Sequence, residues 1–357
     1  MNGNRFTACL LSTFTMLAAT LLCSSCEHRP LEEMDLYKSH FLRVYIDEEI
    51  RNVTFGFYDE SKRRPEYSSP ELLKVVVCDE VSGSKQSEHF LYDSGKDERG
   101  YYIQGSIGIP DGTYNILAYN FDTKDTQIKR ESSYTSMTAY TEPLTEKEAS
   151  RLFASRGDYT NICRQPDHLF VARLEGVKTS RPDFLEKPDT LKDDRGEHPV
   201  AESIVKTYYL QFNVKGVEYV RSAVALISGM AGSKTMHDDR MVEEDVSSIY
   251  FNLNNGKEKN RTSNDVAVAY ASFNTFGKLP DVEGYLDITF EFNTVYNTVQ
   301  TETVRVTDIF ETEMAKEKQW ILIDKTIEII PPEDADTGGG MAPGVNEWEE
   351  KEGSITI

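Results

Sequence analysis

Apolar and polar residues alternate with a period of two through much of this chain, the pattern of strands with one buried face. FLRVYID (41–47), GTYNILAYNF (112–121) and VKTYYLQFNVKGV (205–217) alternate in this way. ELLKVVVCDE (71–80) is a near-continuous β-branched run, and YYIQGSIGIP (101–110) alternates around small residues. Pro110, Asp111 and Gly112 join YYIQGSIGIP to GTYNILAYNF. Proline presets φ, aspartate caps and glycine takes a positive φ, so these two strands are expected to form a hairpin. PDHLFVARLEGV (166–177) reads as the closing strand of the first set. Helical periodicity is scarce. One short helix is expected in TEKEASRLFAS (145–155), where Thr145 and Glu148 make a capping box.

The pattern lapses over residues 178–203, which are rich in charge and proline and read as a linker or exposed loop. Strand signals resume at 221–230, 247–254, 265–277, 284–295, 298–310 and 319–330. Short strands with turn residues at regular spacing predict an all-β fold of two tandem sandwiches, over 41–177 and 204–330. Residues 331–357 form an acidic tail that opens with two prolines and carries Gly338, Gly339 and Gly340, which make it flexible. Its last residues, Gly353, Ser354, Ile355, Thr356 and Ile357, have strand propensity but no partner adjacent in sequence. They read either as a disordered end or as a detachable strand that completes another sandwich by β-augmentation.

The first 25 residues have the order of a secretory signal: Arg5 in a polar head, an apolar stretch from Ala8 to Leu22, then small residues. The apolar stretch falls short of the roughly 20 residues that span a bilayer. An ordinary signal peptidase would cut after Ser24-Ser25. A lipoprotein peptidase would cut before an acylated cysteine that follows a small residue. Cys26 has Ser24 and Ser25 before it, whereas Cys23 follows the bulky Leu22. Cys26 is therefore the expected lipid attachment site, with residues 26–40 as a tether. Several acyl chains anchor where one does not, since each buried CH₂ adds about 0.8 kcal/mol.

Charge changes the list of partners. With 39 Lys and Arg against 60 Asp and Glu, the net charge is −21. That argues against nucleic acid and against anionic membrane surfaces as electrostatic partners. Beyond Cys26 only Cys78 and Cys163 remain, either paired in an oxidising compartment or as two buried free thiols. Motifs of catalysis are missing: there is no G-x-S-x-G, H-E-x-x-H, P-loop or G-x-G-x-x-G. MHDDRMVEED (236–245) gathers carboxylates without the glycine bend and alternating oxygens of a calcium loop, so a solvated acidic loop is expected. The six histidines, at 28, 40, 89, 168, 198 and 237, show no metal-ligand spacing. His168 reads as a structural group, and the aromatics of TYYLQF (207–212) as packing residues more than a sugar-binding face. No cofactor, no metal and no enzymatic activity are expected.

Several stretches in fixed order resemble one family. SCEHRPLEE (25–33) is similar to its mature N-terminus and IPDGTYNILAYNFDT (109–123) to its turn and following strand. QPDHLFVA (165–172), VRSAVALISGMAG (220–232), FNTFG (273–277) and DKTIEIIPP (324–332) also match, and the Gly run before the acidic segment at Trp348 completes the set. The chain resembles Bacteroidales lipoproteins of the fimbrillin-like and fimbrial-anchor type, in a branch catalogued only as a domain of unknown function. The resemblance implies two transthyretin-like β-sandwich domains and a lipid anchor in the outer membrane, joined to fimbrial subunits or other envelope proteins through exchanged strands. After Cys26, Glu27 fits a surface-export signal while His28 and Arg29 do not, so a surface-exposed and a periplasm-facing body both stay open. Stalk subunits of the wider family are clipped after an Arg. Here Arg29 lies three residues beyond Cys26 and Arg43 lies inside a core strand, which favours an anchor or accessory subunit. The alternative is a surface lipoprotein that binds glycan or a host or cell-surface partner.

Overall fold

A computed structural model of the chain describes residues 38–47, 69–153, 161–179, 189–255, 266–279 and 286–331. Strands dominate, and they stack into β-sandwiches. The N-terminal part holds β1 (Lys38–Ile46), β2 (Leu73–Asp79), β3 (Lys85–Leu91), β4 (Asp93–Asp97), β5 (Gly100–Ile109) and β6 (Gly112–Tyr119). Then come β7 (Gln127–Lys129), β8 (Thr138–Tyr140), helix α1 (Glu146–Leu152), β9 (Ile162–Cys163), β10 (Phe170–Thr179), β11 (Asp189–Leu191) and β12 (Val200–Ser203). Hydrogen bonding runs β3-β2-β6-β10-β12-β1-β5-β4, with β11 beside β1. The path folds over at β12, which pairs antiparallel with β10 at Phe170↔Ser203 and parallel with β1 at Tyr45↔Val200. Its two walls enclose Leu42, Val44, Val75, Val77, Ile103 and Ile116, none of them exposed. These are alternate positions along their strands, as a pleated wall requires.

Two expectations are corrected here. The strands either side of Pro110-Asp111 do not form a hairpin: β5 pairs with β1 and β4, and β6 with β2 and β10, so the turn arches between walls. Gly112 does not take the positive φ expected of it. Its need is spatial, because a Cβ there would lie 2.7 Å from the Tyr114 hydroxyl. The segment 178–203 is not simply a linker either, since its described part carries β11 and β12. Leu191 and Ala201 are core residues, and the charges around them hide the alternation.

The C-terminal part holds β13 (Lys206–Lys215), β14 (Val220–Ala231), β15 (Ser233–Thr235), β16 (Val246–Asn252), β17 (Asn254–Asn255), β18 (Val266–Thr275), β19 (Asp287–Thr294) and β20 (Val299–Arg305). Short helices α2 (Thr307–Phe310) and α3 (Glu313–Lys318) precede β21 (Trp320–Glu328). One sheet runs β17-β18-β13-β21 and the other β20-β19-β14-β16-β9. Aromatic rings fill the space between them, with Phe212 and Phe290 centroids 4.5 Å apart and Phe251 and Phe273 4.6 Å apart. Such pairs add about 0.5–1.5 kcal/mol beyond the area they bury.

β9 belongs to this second sandwich although it precedes β10 in the chain. The helix forms where expected, with the Thr145 hydroxyl accepting from the Glu148 N–H and the Glu148 carboxylate accepting from the Thr145 N–H. It sits beside β9, and Leu144, Ala149, Phe153 and Ile162 cover Val224 of β14. The chain thus leaves the first sandwich after β8, lays a strap on the second, and returns to build β10. The two tandem sandwiches are thus linked by a strap that the chain lays on the second before it completes the first.

A third apolar cluster joins them. Val76, Cys78, Leu117, Tyr119 and Val171 face away from the first core and meet Met137, Ala139, Ala231, Met236 and Phe276. A small sheet β15-β8-β7 crosses this seam, with Ser233↔Tyr140, Lys234↔Ala139 and Thr235↔Thr138 in register. Lys234 is 4 % exposed, and burial pulls its pKa down. Its amine is held by the Ile204 carbonyl at 3.1 Å and the Asp239 carboxylate at 2.9 Å. His168, just ahead of β10, lies between β12 and β13, its ring nitrogens each 3.0 Å from a hydroxyl, of Ser203 and Thr207.

Burial holds the His168 imidazole at about 4, below its ordinary value of 6.5. Between those values the unfolded chain takes a proton that the folded chain refuses, so stability falls as pH drops through that window. The loss is at most about 3 kcal/mol. Denaturant titrations should show it, and His168→Asn should flatten the slope between these two values. A fragment of residues 204–331 leaves Val224, Leu226 and Tyr250 without the strap. It is expected to aggregate or melt well below a fragment that also carries residues 141–164, as read by circular dichroism.

Candidate interaction site at the C-terminal pole

The second sandwich ends in a pole built from two tight turns and the exit of the chain. β13 finishes at Lys215, whose carbonyl accepts from the Ile329 N–H at 2.9 Å. Gly216 follows with φ 80°, and a Cβ there would lie 2.4 Å from the Ile329 carbonyl oxygen. Only glycine combines that φ with so close an approach. The turn carries Tyr219, whose ring lies 6.0 Å from that of Tyr296 in the β19–β20 turn.

β20 and β21 are sheet edges, and side chains bridge them. The Gln300 amide donates to the Glu328 carbonyl at 2.6 Å, and its oxygen accepts from the Ile330 N–H at 3.1 Å. Lys325 and Glu302 form an ion pair on the same seam. Polar and charged residues of this kind discourage stray pairing at an edge. The pole itself is apolar and open. Tyr296 is 39 % exposed, Val299 41 % and Ile330 66 %. Residues 332–357 continue from this pole, and the expected partner strand Gly353, Ser354, Ile355, Thr356 and Ile357 lies outside the described residues. So does the expected lipid site Cys26.

The remaining candidates are placed as follows. Cys78 and Cys163 are free and buried, so they do not form a disulfide. Cys78 sits in the seam cluster and Cys163 in the second core, and burial pushes the Cys78 thiol up to about 11. His168 is a hydrogen-bonded joint residue. The loop 236–245 is not merely solvated: Asp239 meets Lys234, and Asp238 accepts from the Arg240 N–H at 3.2 Å. Among the described residues no group of three or more His, Cys, Asp or Glu side chains can hold a metal ion. Tyr208, Tyr209 and Phe212 are buried, so the TYYLQF aromatics pack rather than face a ligand.

Sequence reasoning missed one surface cluster. Arg43 lies 4.1 Å above the Tyr102 ring and Arg99 4.7 Å above the Tyr45 ring, while the Tyr45 hydroxyl donates to Asp97 at 2.8 Å. A Cβ on Gly95 would lie 2.5 Å from the Tyr102 hydroxyl, so that side of the ring is covered too. Guanidinium groups already occupy the ring faces that a sugar would need. The strand alternation places these side chains on one face, but the pairing of β1, β4 and β5 that brings them together has no local signal.

A family model described as "Domain of unknown function (DUF5119)" matches residues 66–252. A Bacteroides ovatus protein, named as a candidate fimbrium anchoring subunit Fim4B, is 26 % identical over 312 residues, which cover 78 % of this chain and 82 % of the relative. The crystal structure of a candidate adhesin from Bacteroides ovatus superposes with a TM-score of 0.55 at 22 % identity, over 87 % of this chain and 98 % of that one. That likeness shows the fold.

Replacing the pole glycine tests the geometry of the chain exit. Gly216→Ala is expected to cost about 1–3 kcal/mol from the strained φ, more if the Ile329 carbonyl cannot retreat. Thermal and denaturant unfolding measure this. Gly83→Ala, at φ 66° with open space around it, is the control without the steric contact.

Proposed function

The chain belongs to the DUF5119 family, and on that premise we propose that it is a fimbrial anchor or accessory subunit of the cell envelope. The match to a relative named for fimbrium anchoring, over most of both chains, carries this reading. We further propose that a lipid on Cys26 holds the protein in the outer membrane and that residues 353–357 supply a strand to a fimbrial partner. Ser24 and Ser25 before Cys26 suit a lipoprotein peptidase. The tail leaves from the open apolar pole, and residues 332–352 lie between the exit and the proposed strand. An added strand satisfies the unpaired N–H and C=O groups of a partner's sheet edge, so its affinity comes largely from main-chain bonds. The role is one of assembly and not of catalysis.

Tagged full-length protein and a version lacking residues 345–357 should be compared by pull-down from envelope membranes. Fimbrial subunits are expected with the full-length protein and at least tenfold less with the truncated one. A partner held equally by both contradicts strand exchange. Cys26→Ser is expected to move the protein from the detergent phase to the aqueous phase and to abolish incorporation of labelled fatty acid. Unchanged incorporation rules out Cys26 as the lipid site.

A further inference from the structure

We propose that the described body is built to carry tension between its two ends, a mechanical function that holds whichever partner takes the tail. The registers place the ends at opposite poles. Lys38, the first residue of β1, pairs with Ile109, and Gly112 pairs with Thr179, so the start of β1 lies at the pole formed by the β5–β6 arch. β1 runs from there toward the seam, where Ile46 pairs with Ala201 and the chain continues into the seam residues Ile204 and Val205. β13 runs from the seam outward, starting at Lys206↔Thr275 next to the seam residue Phe276. β21 is parallel to β13 and ends at Lys215↔Glu328, beside the C-terminal exit.

A pull on the two ends therefore loads β1 from its first residue and β21 from its last. β1 is drawn backward past β5 on one side and past β11 and β12 on the other. β21 is drawn forward past β13. Inter-strand hydrogen bonds lie across the strands, so this direction shears them together instead of opening them one at a time. Sliding is opposed as well. A slip of one residue turns Leu42 and Val44 out of the core and puts their polar neighbours in. β1 is held on both sides, which an edge strand is not.

The seam is placed to pass the same tension. The chain crosses it after β8, again before β10, and again at Ile204–Lys206. β15 of the second sandwich pairs with β8, tying the halves by backbone hydrogen bonds. The Arg173 guanidinium of β10 donates to the Met236 carbonyl at 2.6 Å, a further tie across the junction. Forced unfolding is governed by the unfolding rate, so geometry of loading and not equilibrium stability sets the rupture force.

Optical-trap or atomic-force pulling of the full chain tests this in two geometries with one sequence. Handles at the two chain ends load β1 and β21 in shear. A peptide handle inserted after the exposed Tyr296, paired with the C-terminal handle, loads β21 sideways from its last residue. The expected end-to-end rupture force is several times the lateral one. An end-to-end force equal to or below the lateral force overturns the proposal. So does an early low-force step in which the sandwiches part before either unfolds.

Discussion

The outer face of the wall formed by β2, β6 and β10 is apolar, and it has to be covered. Val76, Cys78, Leu117, Tyr119 and Val171 point away from the first core, yet none is exposed beyond 1 %. Left in water, each such side chain forfeits roughly 1.5–3 kcal/mol of burial. The cover comes from two sources: the β7–β8 excursion and the residues around β15 in the second sandwich. Most of what distinguishes this body from two separate sandwiches follows from that one need. The small sheet across the junction and the buried Lys234 both lie at or beside the covered face.

Polar groups trapped at such a junction must find partners, because an unsatisfied buried donor costs about 1–3 kcal/mol. Lys234 shows how this is met. A main-chain carbonyl and one carboxylate take its amine, and the carboxylate comes from a loop that would otherwise be free in solvent. His168 is treated likewise, between hydroxyls supplied from either side. The two sandwiches are thereby tied by polar contacts as well as by the apolar cluster.

The fold class was legible because period-two alternation survives in most strands, and helix α1 was legible through Thr145 and Glu148, whereas the short helices α2 and α3 were not expected. The run Val75-Val76-Val77-Cys78 also carried more than strand propensity: four consecutive buried positions belong to a strand covered on both faces. Pairing was not legible. The Pro110-Asp111 turn has hairpin chemistry, but whether it joins neighbours or arches between walls depends on where β1 inserts. The strands at 189–191 and 200–203 were masked by the charges beside them. Nothing local marks Lys234 as a seam residue, since a lysine flanked by serine and threonine reads as exposed. The two functional features read from sequence, Cys26 and the terminal residues 353–357, rest on chemistry and order along the chain and not on any packed environment.

Differential scanning calorimetry on the intact protein asks most directly whether the seam makes one body of two sandwiches. A single transition, with calorimetric and van't Hoff enthalpies equal, is the predicted result. Two separable transitions, or a calorimetric enthalpy well above the van't Hoff value, would mean that each sandwich melts on its own and that the seam does not couple them.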